Sequence, residues 1–353
     1  MCNQRDGMGL YKEVCIEKII SETADTKTFC LRVSGNEPLL YKAGQFLTFV
    51  FTKPSGEERR SYSISSTPAL QEPLSVTVKR LENGEYSRQL FDRATEGDCL
   101  VTTGAAGFFV LPDEMAQYQE IFFMAAGSGI TPILPLIKTV LYFHRHIRVI
   151  LIYSNRTRQS TIFYNELQQL AAIFPGRFET EFLFSTAVNL EKARLGKWLL
   201  AALLQQFSRA PWPATLFYTC GPFDYMRMIT ITLLENGVPL QHIKKENFIP
   251  LKMVSATLPP DTHEHGITIQ TQHATYQLQS QYPQTILAAA KKAGIALPYS
   301  CESGRCGSCA ATCVSGKVWM SYNEVLLDDE IAKGRVLTCV GYPIGGDILL
   351  KYD

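Results

Sequence analysis

Three cysteines toward the C-terminal end, Cys301, Cys306 and Cys309, stand in a C-x4-C-x2-C loop, and a fourth, Cys339, follows further along the chain. Thiolates at this spacing hold a plant-type two-iron, two-sulfur cluster, so the segment must fold to bring Cys339 back onto the loop. The loop, Tyr299-Ser300-Cys301-Glu302-Ser303-Gly304-Arg305-Cys306-Gly307-Ser308-Cys309, is rich in small residues. Backbone N–H groups can then approach the cluster sulfurs and hydrogen-bond to them. A structural zinc site usually presents two tight cysteine pairs, and a disulfide framework belongs to small secreted domains. Spacing and loop composition favour the cluster over both, and a chain that carries it moves single electrons.

The 353 residues exceed what one hydrophobic core serves, so two or three domains are expected. With 46% hydrophobic residues, 19% charged residues and a formal net charge of +1, nothing offers a broad field for nucleic acid or an anionic membrane, and neither nucleic-acid binding nor membrane insertion is expected. The first residues lack the basic start and apolar run of a signal peptide, and no stretch of about 18 apolar residues follows, so the expected location is the cytoplasm. In that reducing setting Cys2, Cys15, Cys30, Cys99 and Cys313 read as small, partly buried hydrophobes.

Three styles of sequence follow one another. Residues 8–113 run in short apolar or alternating stretches such as Phe46-Leu47-Thr48-Phe49-Val50, separated by Gly and Pro turns, which predicts an antiparallel β-barrel. Residues 114–248 alternate apolar strands with helices, among them a helix from Leu134 to His144 and a strand over Arg148-Val149-Ile150-Leu151-Ile152-Tyr153, which predicts a doubly wound α/β parallel sheet. Residues 249–262, rich in breakers, read as a linker. Residues 263–353 form a small α+β domain: a hairpin pairing Ile267-Thr268-Ile269 with Tyr276-Gln277-Leu278, a helix from Thr285 to Ala293, then the cysteine loop. His263 and His265, beside the linker, are expected to face solvent rather than bind metal.

Arg59-Arg60-Ser61-Tyr62-Ser63-Ile64 puts a cation, hydroxyls and a ring on alternate sides of an extended strand, as a phosphate-bearing ring cofactor requires, though a solvated polar face reads the same in isolation. Gly127-Ser128-Gly129-Ile130-Thr131-Pro132 is a strand-to-helix turn that can aim backbone N–H groups at a pyrophosphate, with Pro132 at the first helical position in place of a third glycine. Thr219-Cys220-Gly221-Pro222 ends another strand on the same expected edge. After the second strand of that sheet, where an NAD-selective site offers an acidic residue, Asn155-Arg156-Thr157-Arg158 offers two guanidinium forks instead. Arg156 and Arg158 suit a 2′-phosphate, which favours NADPH with NADH possible, against the alternative of a solvated basic loop.

These signals in this order, followed by the cysteine loop, resemble the ferredoxin-NADP reductase superfamily, in the branch carrying a C-terminal plant-type ferredoxin domain. The resemblance covers nearly the whole chain. Within that branch, Arg60-Ser61-Tyr62-Ser63, the Gly127 to Pro132 turn, Asn155-Arg156-Thr157 and Cys220-Gly221-Pro222 look most like the reductase subunits of bacterial phenylacetyl-CoA epoxidases and their close relatives. The resemblance implies a multidomain chain: an FAD-binding antiparallel β-barrel, an NAD(P)-binding α/β domain and a β-grasp ferredoxin domain. It implies that Arg60, Ser61, Tyr62 and Ser63 meet the flavin and its phosphates, that Val78, Lys79 and Ser87 line the same site, and that Gly107 and Phe108 lie near the FAD tail. There Ala105-Ala106 stands where the family often has a Pro before the Gly. The nicotinamide nucleotide would be met by Gly127, Gly129, Thr131, Arg156, Arg158 and Gly221, with Phe248 covering a flavin face. Cys220, of the Cys-Gly-Pro motif, would sit by the reacting nicotinamide, and Thr131 is the residue expected to order the flavin–nicotinamide contact. Cys301, Cys306, Cys309 and Cys339 are the metal ligands.

A nicotinamide delivers two electrons as a hydride, an iron-sulfur cluster takes one at a time, and FAD mediates between them. The expected route is therefore NADPH to FAD to the 2Fe-2S cluster to an electron acceptor on a separate protein, an oxygenase of the phenylacetyl-CoA epoxidase type or a related di-iron or Rieske oxygenase. A self-contained NAD(P)H-dependent reductase of a small molecule and a redox sensor are the competing readings. A cluster tethered to its own reductase needs no acidic face to find it, and the ferredoxin part is nearly neutral in charge.

Overall fold

The computed structural model describes residues 10–35, 38–54, 56–187, 193–248 and 258–352. Its first sheet contains β1 (Lys12–Thr23), β2 (Thr26–Val33), β3 (Phe46–Lys53), β4 (Gly56–Ser63), β5 (Ser75–Lys79) and β6 (Cys99–Ala106), with helix α1 (Glu85–Arg93) between the last two. All pairings are antiparallel in the order β4-β3-β6-β1-β2-β5, and a bridge from Ile64 to Val76 joins the two ends into the expected barrel. Closure follows from the alternation of these strands, which turns Val14, Ile16, Phe29, Leu47, Phe49, Val76 and Val78 into one core.

The barrel corrects one cysteine expectation. Cys15 on β1 and Cys99 on β6 face each other in register and form a disulfide, with Cys99 exposed rather than partly buried. They stand 84 residues apart, and only the strand pairing makes them neighbours. Cys30 and Cys313 are free and half-buried, as expected, and Cys2 lies outside the described residues.

The second body alternates β7 (Glu120–Ala126), α2 (Ile130–Phe143), β8 (Arg148–Asn155), α3 (Tyr164–Ile173), β9 (Phe178–Phe184), α4 (Lys197–Phe207), β10 (Thr215–Cys220), α5 (Phe223–Glu235) and β11 (Ile243–Glu246). The sheet is wholly parallel, in the order β11-β10-β7-β8-β9. The three central strands, β10, β7 and β8, read as continuous apolar runs because both faces are covered, whereas the edge strands β9 and β11 carry charged residues. Phe123, Val149 and Leu151 pack under α2 and α3, while Phe122, Met124, Ile150 and Ile152 pack under α4 and α5. Helix α2 begins at Ile130 rather than at Leu134, so Pro132 is its third residue instead of its first and Pro135 lies inside it. Pro132 still falls in the first turn, where its missing N–H has no intrahelical partner to lose.

The third body pairs β12 (His265–Gln270) with β13 (Thr275–Ser280), then runs through α6 (Ile286–Lys292), β14 (Ala310–Met320), α7 (Asp328–Ala332), β15 (Arg335–Leu337) and β16 (Gly341–Lys351). The order β13-β12-β16-β14-β15, with β12 and β16 parallel, is the expected β-grasp arrangement. Ile267 faces Leu278 and Ile269 faces Tyr276 in the hairpin, and Thr285 caps α6 by accepting from Ala288 N–H. His265 is not solvent-facing. With its side chain 12% exposed, its Nε2 lies 2.7 Å from Asp261 Oδ2, and the exposed His263 Nδ1 lies 2.8 Å from Oδ1. Most of the linker expected over 249–262 lies outside the described residues. Among the described residues no helix is long and apolar enough to cross a membrane.

Candidate functional site

The four cysteines of the loop converge. Thr338 donates from both N–H and Oγ1 to the Cys309 carbonyl, at 3.4 and 3.0 Å, and this returns Cys339 to the loop. The thiols meet as two pairs, Cys301 with Cys306 and Cys309 with Cys339, and the neighbouring thiol draws Cys301 and Cys309 below the ordinary thiol range. Among the described residues, no three of the four sulfurs lie within 4.8 Å of one another. A single tetrahedral ion with metal–sulfur bonds of about 2.3 Å would draw all four to within about 3.8 Å of each other. Two separated pairs fit two irons. The N–H groups of Ser303 and Arg305 point at Cys301 Sγ, and that of Gly304 at Cys339 Sγ, as the small-residue loop predicts. Gly307 is obligatory: with φ +72°, a Cβ there would stand 2.1 Å from the Phe108 ring.

Beside the loop lies a cavity of about 550 Å³ where the three bodies meet. Arg60, Ser61 and Ser63 of β4 form one wall, Phe248 and Glu246 another, and Cys301 and Cys306 a third. The motif residues expected around a flavin and two of the four cluster ligands thus share one space. Arg60 is exposed, 2.8 Å from Glu58 and 4.9 Å from the Tyr86 ring, free to turn toward a phosphate. Ser61 Oγ bonds both Thr48 and Ser300, so it also faces the ferredoxin body. Tyr62 packs 5.9 Å from Phe49 at the edge of the barrel core, where burial raises its phenol.

The other expected flavin residues stand apart from this cavity. Val78 is fully buried in the barrel core, which leaves only its backbone to line a site. Lys79 pairs with Asp25 at 3.3 Å. Ser87 accepts from Leu81 N–H and donates to the Gly84 carbonyl, and so shapes the start of α1. Gly107 accepts from Gln45, and Phe108, expected near the FAD tail, packs against the cluster loop.

The nicotinamide signals gather at the C-terminal edge of the parallel sheet, past the ends of the neighbouring strands β7 and β10. A Cβ on Gly129 would stand 1.9 Å from the Cys220 carbonyl oxygen, so the two turns touch. The fourteen-residue α2 opens there with no side-chain cap and no acidic residue in its first turn, which leaves its N–H groups to a pyrophosphate. Thr131 is buried and donates to the Ser128 carbonyl at 2.9 Å. Gly221 lies against Ala126. Arg156 and Arg158 are exposed past the end of neighbouring β8, the latter over the Tyr164 ring at 4.5 Å. Cys220 is fully buried in the core under α2, and burial pushes its thiol well up, so it stays protonated.

Sequence reasoning missed Arg59, Glu246, Arg305 and Glu324. Burial pushes the Glu246 carboxyl up to about 8. Glu324 accepts from Asn247 and Tyr322, both at 2.9 Å, and ion-pairs with Arg305 at 3.0 Å. It thereby ties the cluster loop to the segment ending in Phe248. A contact between bodies so far apart in the chain leaves no local signal.

Family models match all three parts: an oxidoreductase FAD-binding domain over 13–111, an oxidoreductase NAD-binding domain over 123–230 and a 2Fe-2S iron-sulfur cluster binding domain over 267–343. The chain is 30% identical to the ferredoxin reductase component of 3-ketosteroid-9-alpha-monooxygenase from Mycolicibacterium smegmatis, over 97% of each chain. It is also 30% identical to one of the subunits of the 1,2-phenylacetyl-CoA epoxidase from Escherichia coli, over 98% of this chain and 99% of that one. A solved phthalate dioxygenase reductase shares the fold at a TM-score of 0.56 and 24% identity, over 97% of this chain and 98% of that one. The protein is an NAD(P)H-dependent oxidoreductase that uses FAD and a 2Fe-2S cluster. With its barrel, nucleotide-binding sheet and β-grasp domain in that order, the chain belongs to the branch of the ferredoxin-NADP reductase superfamily that carries a C-terminal ferredoxin domain.

Proposed function

We propose that this protein supplies single electrons to a separate oxygenase, drawing them from NADPH. The observation that supports this most is the shared cavity: Arg60, Ser63 and Phe248 line the same space as Cys301 and Cys306, so a flavin seated there lies beside the cluster ligands. The bound cofactors supply hydride acceptance and single-electron release, and the chain supplies binding and orientation. In this reading Arg60 neutralises the flavin phosphate, Ser61 and Ser63 offer hydroxyls, and Phe248 covers the ring. Thr131, pinned by its bond to Ser128, sets the edge against which the nicotinamide lies. Cys220, buried and neutral, shapes that edge through packing and moves no proton. Arg156 and Arg158 receive the 2′-phosphate.

The acceptor is taken from the relatives, which are components of oxygenases acting on a ketosteroid, on phenylacetyl-CoA and, in Pseudomonas aeruginosa, on glycine betaine. Purified holoprotein mixed with the oxygenase component of a phenylacetyl-CoA epoxidase should support substrate turnover that depends on NADPH. NADPH oxidation with ferricyanide, but no turnover with any oxygenase component of these three systems, would count against an oxygenase partner. For nucleotide choice, the ratio of kcat/KM for NADPH to that for NADH should exceed one and fall at least 10-fold in the Arg156→Ala/Arg158→Ala double variant. A wild-type ratio below one would reverse the preference.

A further inference from the structure

Two arginines stand side by side on β4, and strand alternation sends them apart. Arg60 stays with the barrel at Glu58 and Tyr86. Arg59 turns to the ferredoxin body. Only 7% exposed, it donates from Nη1 to the Leu297 carbonyl at 3.2 Å and to the Tyr299 carbonyl at 3.3 Å, and its guanidinium lies 3.7 Å from the centre of the Tyr299 ring. These carbonyls belong to the segment that leads directly into Cys301. On the same face of β4, Ser61 Oγ meets Ser300 Oγ at 2.5 Å. From behind, the barrel steadies the guanidinium: Nη2 donates to the Tyr11 hydroxyl at 3.4 Å and lies 3.7 Å from Glu57.

Desolvating a guanidinium is costly unless its hydrogen bonds are made. Through Nη1 Arg59 makes two of them, to carbonyls 238 and 240 residues away in a different body, while its buried Nε has no partner. The barrel core of Val14, Phe49, Val76 and their neighbours is complete without it. Its planar fork and its stacking on Tyr299 fix both distance and orientation, which a point charge on a flexible stem does not. Building on the electron-relay reading above, we propose that Arg59 is a positioning residue that holds the segment 297–301, and with it Cys301 and Cys306, against the wall of the flavin cavity.

The test uses full-length holoprotein under anaerobic conditions, comparing wild type, Arg59→Ala and Arg59→Lys. FAD and iron content, amide hydrogen exchange over 297–306, and the rates at which NADPH reduces flavin and cluster are measured together. Arg59→Ala should keep both cofactors and reduce its flavin at the wild-type rate. Its exchange over 297–301 should rise, and its cluster reduction should slow, each by about 10-fold or more, since small displacements of reacting groups carry large rate penalties. Arg59→Lys should fall between. Wild-type exchange and cluster reduction in Arg59→Ala would overturn the assignment, as would slowed flavin reduction with flavin-to-cluster transfer intact. If Arg59→Ala does not accumulate as holoprotein, Arg59→Lys decides: wild-type behaviour in both readouts overturns the proposal. A wild-type protein that never reduces its cluster from NADPH would instead defeat the functional reading itself.

Discussion

Arg60 and Gly129 act by opposite means, one by offering charge and the other by being absent as a side chain. If Arg60 holds the flavin phosphate as proposed, Arg60→Ala removes a charge-assisted partner, and such bonds contribute about 1.5–3 kcal/mol. FAD should therefore bind roughly 10- to 100-fold more weakly, as a fluorescence titration of the flavin-stripped protein would read, while the iron content stays unchanged. Unaltered FAD affinity would remove Arg60 from the site. At Gly129 a methyl group would run into the Cys220 carbonyl, which is backbone and cannot swing aside. Gly129→Ala should push the two turns apart at a cost of about 1–3 kcal/mol and raise the KM for NADPH with little change in FAD binding. Wild-type KM and thermal midpoint would show that the turns need not touch. Which of the two β4 arginines faces which body was not legible in Arg59-Arg60: alternation fixes only that they diverge.

Among the elements, the barrel strands and the sheet strands were legible because their apolar patterns differ in kind, broken by polar, exposed positions in β1 and β2 and continuous in β7 and β8 where both faces are buried. The apolar pattern places the start of α2 at Leu134 and the turn places it at Pro132, whereas the helix already begins at Ile130, since a first-turn proline costs a helix almost nothing. The disulfide from Cys15 to Cys99 was invisible because register, not spacing, pairs them. Asp261 shows how the entry to β12 is fastened. N–H bonds from His263 and Gly345, with the His263 and His265 rings, hold its carboxyl far below the usual carboxylate range. A depressed pKa adds stability that is fully present above the unfolded value, near 4, and is lost as pH falls through the lower folded value. Asp261→Asn should therefore lower the thermal midpoint at pH 7, and the gap from wild type should close progressively below pH 4. A gap that did not depend on pH would mean the carboxylate's charge contributes nothing.

For the molecule as a whole, the cysteine spacing and the order of the three bodies were legible from residues alone, whereas the way the bodies close on one another was not. Phe108 against Gly307, Arg59 against Tyr299 and Asn247 against Glu324 join segments with no shared periodicity. These contacts bring Cys301 and Cys306 to the wall of the cavity that Arg60, Ser63 and Phe248 also line. Tethering makes transfer between the two cofactors intramolecular, so its rate is set by geometry and not by encounter. The most direct test mixes holoprotein with excess NADPH in an anaerobic stopped-flow and follows flavin and cluster absorbance over a 20-fold range of protein concentration. Cluster reduction should follow flavin reduction as a first-order process with the same rate constant at every concentration. A rate that climbs in proportion to concentration, or a cluster that stays oxidised beside a reduced flavin, would contradict the account.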